Sequence, residues 1–256
     1  MPRTAGEGGC DIVAAMRRAS FVSLAGLVLA GLTLAGCKAA PGRAAGFVDE
    51  AKMTTPTDLP FQKAWIDPAV DWERYHSIQI AEVDTGHLAE MEWAKTSGKQ
   101  EKIQEDARKL AHYAHSAFER AFREDPRHRF AVVDHPSADT VIFELALVEI
   151  VPSKLALNTL CYAPFVGTAA RLFRGMKHRS TVAFEARLRD GGTGAVIAEF
   201  ADREAEKAAL INVKDVTWYG HAESITAEWA HQFVQIANRK KGEAVHDSKP
   251  FHLKPW

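Results

Sequence analysis

The chain has 256 residues, with 32 Lys plus Arg against 33 Asp plus Glu, a net charge of -1 and 46% hydrophobic residues. That composition supports a buried core and excludes a disordered or fibrous chain. The near-zero charge gives no general pull toward polyanions, so no nucleic-acid partner is expected, and three cysteines without Cys-x-x-Cys or Cys/His clustering exclude a disulfide scaffold and a structural zinc module.

Met16-Arg17-Arg18 precedes an uncharged run from Ala19 to Leu34, which closes on Leu34-Ala35-Gly36-Cys37. Basic residues, an apolar stretch and small residues before a cleavage point predict a signal peptide over residues 1–36. About 16 apolar residues fall short of the roughly 20 that span a bilayer, which argues against a membrane-crossing helix. Residues 1–15 fit poorly as its basic start, so the proportions point to Met16 as the translation start. Arg17-Arg18 lacks the neighbours of a twin-arginine signal, since two residues separate Arg18 from Phe21 and Met16 precedes the pair in place of Ser or Thr.

The Leu34–Cys37 tetrad resembles a lipobox. The resemblance implies cleavage between Gly36 and Cys37, lipidation of the Cys37 thiol and palmitoyl-type acylation of its new amine, and two or three chains make a lasting membrane anchor. Inner-membrane-retained lipoproteins of many Gram-negative bacteria carry Asp after the cysteine. Lys38 stands there instead, which implies sorting to the outer membrane with the domain in the periplasm.

Residues 37–45 then read as the lipidated cysteine and a flexible tether, because Lys38–Ala45 is small, holds Pro41 and Gly42, and lacks apolar bulk. No second linker and no internal repeat follow, so residues 46–256 are expected to form one domain. Alternation over Tyr75–Val83 predicts a first strand. From about Lys99 to Glu124, the positions Ala107, Leu110, Ala111, Ala114, Phe118, Ala121 and Phe122 recur at helical spacing, and Pro126 ends the run. Phe130–Val133 and the β-branched stretch Asp139–Val151 predict two more strands. Ser180–Arg189 and Ala195–Arg203 flank Asp190-Gly191-Gly192-Thr193-Gly194, a glycine-rich hairpin turn. His221–Asn238 carries Ala222, Ile225, Trp229, Ala230, Phe233, Ile236 and Ala237 on one helical face.

The order β-α-β-β-β-β-α predicts an α+β two-layer sandwich, a mostly antiparallel sheet with two amphipathic helices on one face. It argues against a doubly wound nucleotide-binding layout. Glycine-rich residues 191–194 join two strands and no Lys-Ser/Thr follows, so a phosphate cradle is not expected.

No catalytic constellation is legible, and no cofactor or metal is expected. Cys161, flanked by Leu160 and Tyr162, reads as a buried inert thiol, since nothing in local sequence supplies the His and orienting group a nucleophile needs. His112, His115 and Glu119 share a helix face without the His-Glu-x-x-His arrangement of a zinc hydrolase. Asp134, Asp139, Glu144 and Glu149 are scattered, and strict alternation places Glu144 on the face of Ala146 and Val148. One stretch departs from background: between Glu149 and Glu185 the chain has no acid but carries Lys154, Arg171, Arg174, Lys177 and Arg179 among apolar residues. Ala169–Lys177 in helical form would present Leu172, Phe173 and Met176 beside Arg171, Arg174 and Lys177, which with Arg179 would suit an anionic lipid layer or an acidic protein surface.

Four stretches stand out in chain order: Gly46-Phe47-Val48; Asp67-Pro68-Ala69-Val70-Asp71-Trp72-Glu73-Arg74-Tyr75; Leu147-Val148-Glu149-Ile150-Val151-Pro152 with Leu157-Asn158; and Glu185-Ala186-Arg187-Leu188-Arg189-Asp190 with Thr193-Gly194. Together they resemble the bacterial lipoproteins grouped as domain of unknown function 3313, from Gly46 to about Asn238. The resemblance implies location and fold and transfers no catalytic residue. The expected role is therefore a non-catalytic outer-membrane lipoprotein that binds an envelope protein or anionic lipid, with residues 155–179 as the contact. The alternative is a lipid carrier or transport accessory in which the same apolar segment lines a pocket.

Overall fold

Among the described residues the chain forms three α-helices and six strands. The computed structural model describes residues 41–91, 94–95, 100–151, 181–205, 220–240 and 242–247. The strands are β1 (Lys63–Ile66), β2 (Ser77–Ile80), β3 (Ala131–Val132), β4 (Thr140–Val151), β5 (Thr181–Asp190) and β6 (Val196–Ala205). The helices are α1 (Gly86–Ala89), α2 (Gln100–Arg123) and α3 (Gly220–Asn238). One sheet has the order β1-β6-β5-β4-β2-β3. β4, β5, β6 and β1 pair antiparallel, while β2 lies parallel to both β4 and β3. This is the expected α+β class with a mostly antiparallel sheet.

Strand register sorts the residues by face. Phe143, Leu145 and Leu147 of β4 sit opposite Leu188, Ala186 and Phe184 of β5, and Ala186 is in turn beside Phe200 of β6. Both long helices cover this inner face: Phe118 of α2 stacks on Phe143 at 4.8 Å, and Trp229 of α3 meets Phe184 edge-on at 4.5 Å. Phe233 stands at the centre, with ring centroids 4.7 Å from Phe61, 4.9 Å from Phe143 and 5.3 Å from Phe200. Such offset and edge contacts suit the aromatic quadrupole and hold the two layers in one arrangement.

Two elements have no expectation behind them. β1 is a four-residue edge strand of which only Ala64 is buried, so alternation is too short to detect. α1 is a single turn, too short to show a helical period, and the Asp84 carboxylate accepts a 2.7 Å hydrogen bond from Gly86 N at its start. A third difference lies in β4. The register shifts between Leu147 and Glu149, so Val148 interrupts strict alternation and Glu149 pairs with Ala183 on the same face as Ala146 and Glu185. The extra residue of a bulge is what brings Glu149 back to the face of Glu144.

The ends of α2 and α3 meet at Asp125. Its carboxylate accepts from Asn238 Nδ2 at 2.9 Å and from the backbone N–H groups of Arg127 and Arg129 at 3.1 and 3.2 Å. Burial alone would raise this carboxyl, but these hydrogen bonds outweigh it and hold it below the ordinary aspartate value. Among the described residues no helix is long and apolar enough to cross a membrane.

Candidate functional site

The sheet face away from the helices is built from polar residues, and the register lines them up: Glu144 beside Arg187, Arg187 beside Glu199, and Glu199 beside Trp65. Glu144 accepts from Arg187 Nε and, at 2.9 Å, from Arg189 Nε. Burial pushes the Glu144 carboxyl up, and the two guanidinium groups more than reverse this, leaving it below the usual glutamate range. Toward the far end of the strands Arg203 pairs with Glu149 at 2.6 Å, and Thr181 Oγ1 donates to the same carboxylate at 3.1 Å.

Across this face runs a strap, residues 41–49, which ends where Asp49 caps the short 3-10 turn Glu50–Lys52. Glu185 projects from β5 and is only 2% exposed. A carboxylate so buried needs donors, and the strap backbone supplies them. Ala45 N donates to Oε1 at 2.7 Å, and Phe47 N and Val48 N donate to Oε2 at 2.8 and 3.0 Å. Gly46, with φ +89°, turns the backbone so that N–H groups on either side of it converge on one anion. Next along, Asp49 N donates to Glu199 Oε1 at 3.0 Å. The Arg187 guanidinium donates to Phe47 O at 3.0 Å and lies 4.2 Å from the Phe47 ring centroid, a cation–π contact. Lys52 covers Trp65 in the same way at 5.5 Å.

The strap meets the sheet earlier still. A methyl at Gly42 would lie 3.5 Å from Arg203 Cδ and 3.6 Å from Ala183 Cβ. Ala45 and Gly42, both assigned from sequence to the flexible tether, are thus docked. A space of about 20 Å³ remains between Gly42, Lys63, Val148 and Ala201, room for about one water molecule.

The residues singled out in the sequence do not converge. Gly36, Cys37 and Cys161, together with Arg171, Leu172, Phe173, Arg174, Lys177 and Arg179, lie outside the described residues. Their flanks are described: Val151 and Thr181 are register partners, and Thr181 is beside Ala205. On α2, His115 Nε2 sits 3.1 Å from Ile80 O, Glu119 pairs with Arg123, and His112 is exposed. Asp139 bonds to Ser137 in a loop, and Asp134 accepts from Gln79 through its backbone oxygen. Among the described residues no group of three or more His, Cys, Asp or Glu is arranged to hold a metal.

Glu185, Arg187 and Glu199 escape a reading of the sequence because alternation marks them only as polar strand positions, which are ordinarily solvated. The one available signal is Gly46 beside Phe47 and Val48, a glycine next to apolar residues just after a polar tether.

Solved structures to which the chain shows similarity include PelC dodecamers from Paraburkholderia phytofirmans. One, a variant, is 12% identical over 68% of this chain and 93% of its own, with a TM-score of 0.35. A second is 12% identical over 66% and 94%, with a TM-score of 0.34. No curated protein matches the chain. The family described as protein of unknown function, DUF3313, matches residues 43–233, a span that takes in the strap from Arg43, the whole sheet and most of α3. The chain belongs to this family, DUF3313.

Proposed function

We propose that the protein is a non-catalytic lipoprotein of the outer membrane, anchored through Cys37, whose α+β domain binds an envelope partner through residues 155–179. One observation carries this reading. The strap reaches the sheet at Gly42, against Ala183 and Arg203. From that same end the chain leaves β4 at Val151 and returns into β5 at Thr181.

Gly42, Val151 and Thr181, the described residues nearest in sequence to the proposed anchor and to the acid-free segment, thus lie at one end of the sheet. Gly42 is five residues past Cys37, and five residues span at most about 18 Å. A lipid on Cys37 holds this end of the sheet near the bilayer surface, and the high effective concentration there favours even weak contacts by the basic and apolar side chains of the segment. The Asp190–Ala195 hairpin lies at the opposite end of β5.

In-cell crosslinking tests the reading. Wild type is compared with a chain in which Arg171, Arg174, Lys177 and Arg179 are all replaced by Glu, after both are shown to fold and to fractionate with the outer membrane. Loss of a crosslinked band is the expected result, and the missing band identifies the partner. An unchanged set of bands assigns the segment to structure alone and overturns its role as the contact.

A further inference from the structure

We propose that residues 41–49 are a releasable length of tether and that the Glu185 carboxylate is its latch, so that the domain has a short-reach and a long-reach state. The inference rests on the anchoring of Cys37 proposed above.

The strap is attached to the sheet in a way that permits release. It is no strand of the sheet, whose six strands among the described residues pair without it. Of residues 41–49 only Val48 is buried, at 6% exposure. The attachment is therefore mostly polar: three backbone N–H groups on Glu185, one on Glu199, and the Arg187 contact with Phe47. Segments with little apolar burial open at low free energy. Release uncovers Glu185, Arg187 and Glu199, which water solvates well, and a small apolar area at Val48 and Ala183. The docked state also carries a cost of its own. Glu199 is 4% exposed, and its Oε2 atom is buried without a hydrogen-bond partner among the described residues.

Release changes geometry by a calculable amount. With the strap docked, five residues of sequence separate Cys37 from Gly42. The next fixed backbone point is Thr54, which exchanges two 2.9 Å hydrogen bonds with Ala64 of β1. Thr54 is seventeen residues past Cys37, and with Glu50–Lys52 kept as a 3-10 turn the maximum reach grows from about 18 Å to about 55 Å. The domain leaves the bilayer surface without any change in its own fold.

The test uses the full chain, expressed with its own leader, purified from membranes and placed in a supported bilayer. Hydrogen exchange reads the Ala45, Phe47 and Val48 amides, neutron reflectometry reads the height of the protein layer, and mass spectrometry reads the lipid on Cys37. Wild type is compared with Glu185→Ala, and with Gly46→Val as a second variant that leaves every sheet residue untouched. Gly46 has open space where a side chain would go, so Gly46→Val acts only through its positive φ. In both variants the three amides are expected to exchange at least about tenfold faster, and the layer to extend further from the bilayer. Unchanged exchange in both variants overturns the latch, as does wild-type exchange already at the free-peptide rate. Unchanged height with faster exchange overturns the change of reach. An unmodified Cys37 overturns the anchoring reading and the reach that depends on it, while the exchange rates decide the latch by themselves.

Discussion

The Tyr75 hydroxyl donates a 2.7 Å hydrogen bond to Asp190 Oδ2, across 115 positions of sequence. The bond ties the segment before β2 to the β5–β6 hairpin. Arg74 adds an ion pair at 2.9 Å, and Asp190 Oδ1 accepts from Gly192 N and Thr193 N, so one carboxylate organises the turn and its neighbour together.

This arrangement predicts a pH dependence at both extremes. The Tyr75 hydrogen bond, with help from Thr193 and Arg74, holds the Asp190 carboxyl down at about 2 instead of 3.8. A depressed carboxyl stabilises the fold above its unfolded pKa, so this contribution is present above about pH 4 and is lost as pH falls toward about 2. Burial, then the Asp190 carboxylate, push the Tyr75 phenol up to about 12 from 10.0. That contribution is intact below about pH 10 and fades as pH rises toward 12. Thermal melting followed by circular dichroism should show both limbs. Asp190→Asn should flatten the acid one, and a variant with an unaltered acid limb would show that other carboxylates govern it.

The glycines of the hairpin should differ sharply. A methyl at Gly191 would come within 2.5 Å of Ser137 O and 2.8 Å of Thr140 O, both backbone atoms. Gly191→Ala should therefore cost about 1–3 kcal/mol through displaced backbone. Gly194 has no neighbour within 4 Å and only its φ of +72° to satisfy. Gly194→Asn should cost well under about 1 kcal/mol, since Asn tolerates that region. Urea denaturation of the two variants measures the difference.

Phe233→Ala should be among the most damaging single changes in the core. It removes a ring that touches Phe61, Phe143 and Phe200 and is only 4% exposed. The expected loss is about 3–5 kcal/mol, and Phe233→Leu should recover part of it. Equilibrium unfolding gives the value; a loss below about 1 kcal/mol would mean that the α3 contact with the sheet closes over the gap.

Glu144 serves two arginines on the outer face, each about a quarter exposed. Glu144→Ala should cost about 1 kcal/mol, less at high salt, because such half-exposed pairs are screened. It should also speed exchange at Phe47, since Arg187 loses the partner that orients it. Stability measured at low and high salt, with hydrogen exchange at Phe47, checks both parts.

Much of this architecture is legible in the chain alone. The spacing of Leu110, Ala114, Phe118 and Ala121 and the alternation of Val182, Phe184, Ala186 and Leu188 are direct consequences of 3.6- and 2-residue periods facing one core. The α+β class and the two helix positions follow from those periods. β1 does not, because a strand with one buried residue has no period to read, and neither does the bulge at Val148, which costs the sequence pattern only a single residue.

The outer face is a different case. Sequence marks Glu185, Arg187 and Glu199 as polar strand positions and Lys38–Ala45 as a flexible tether. Only the tertiary structure decides that the glycine turn at Gly46 carries backbone N–H groups onto Glu185, a residue more than a hundred positions away. Hydrogen bonds between a backbone and a distant carboxylate need no side-chain pattern on the donor strand, so they leave no periodic trace in the chain. The core is written in apolar spacing; the strap is decided by where the folded sheet puts one buried charge.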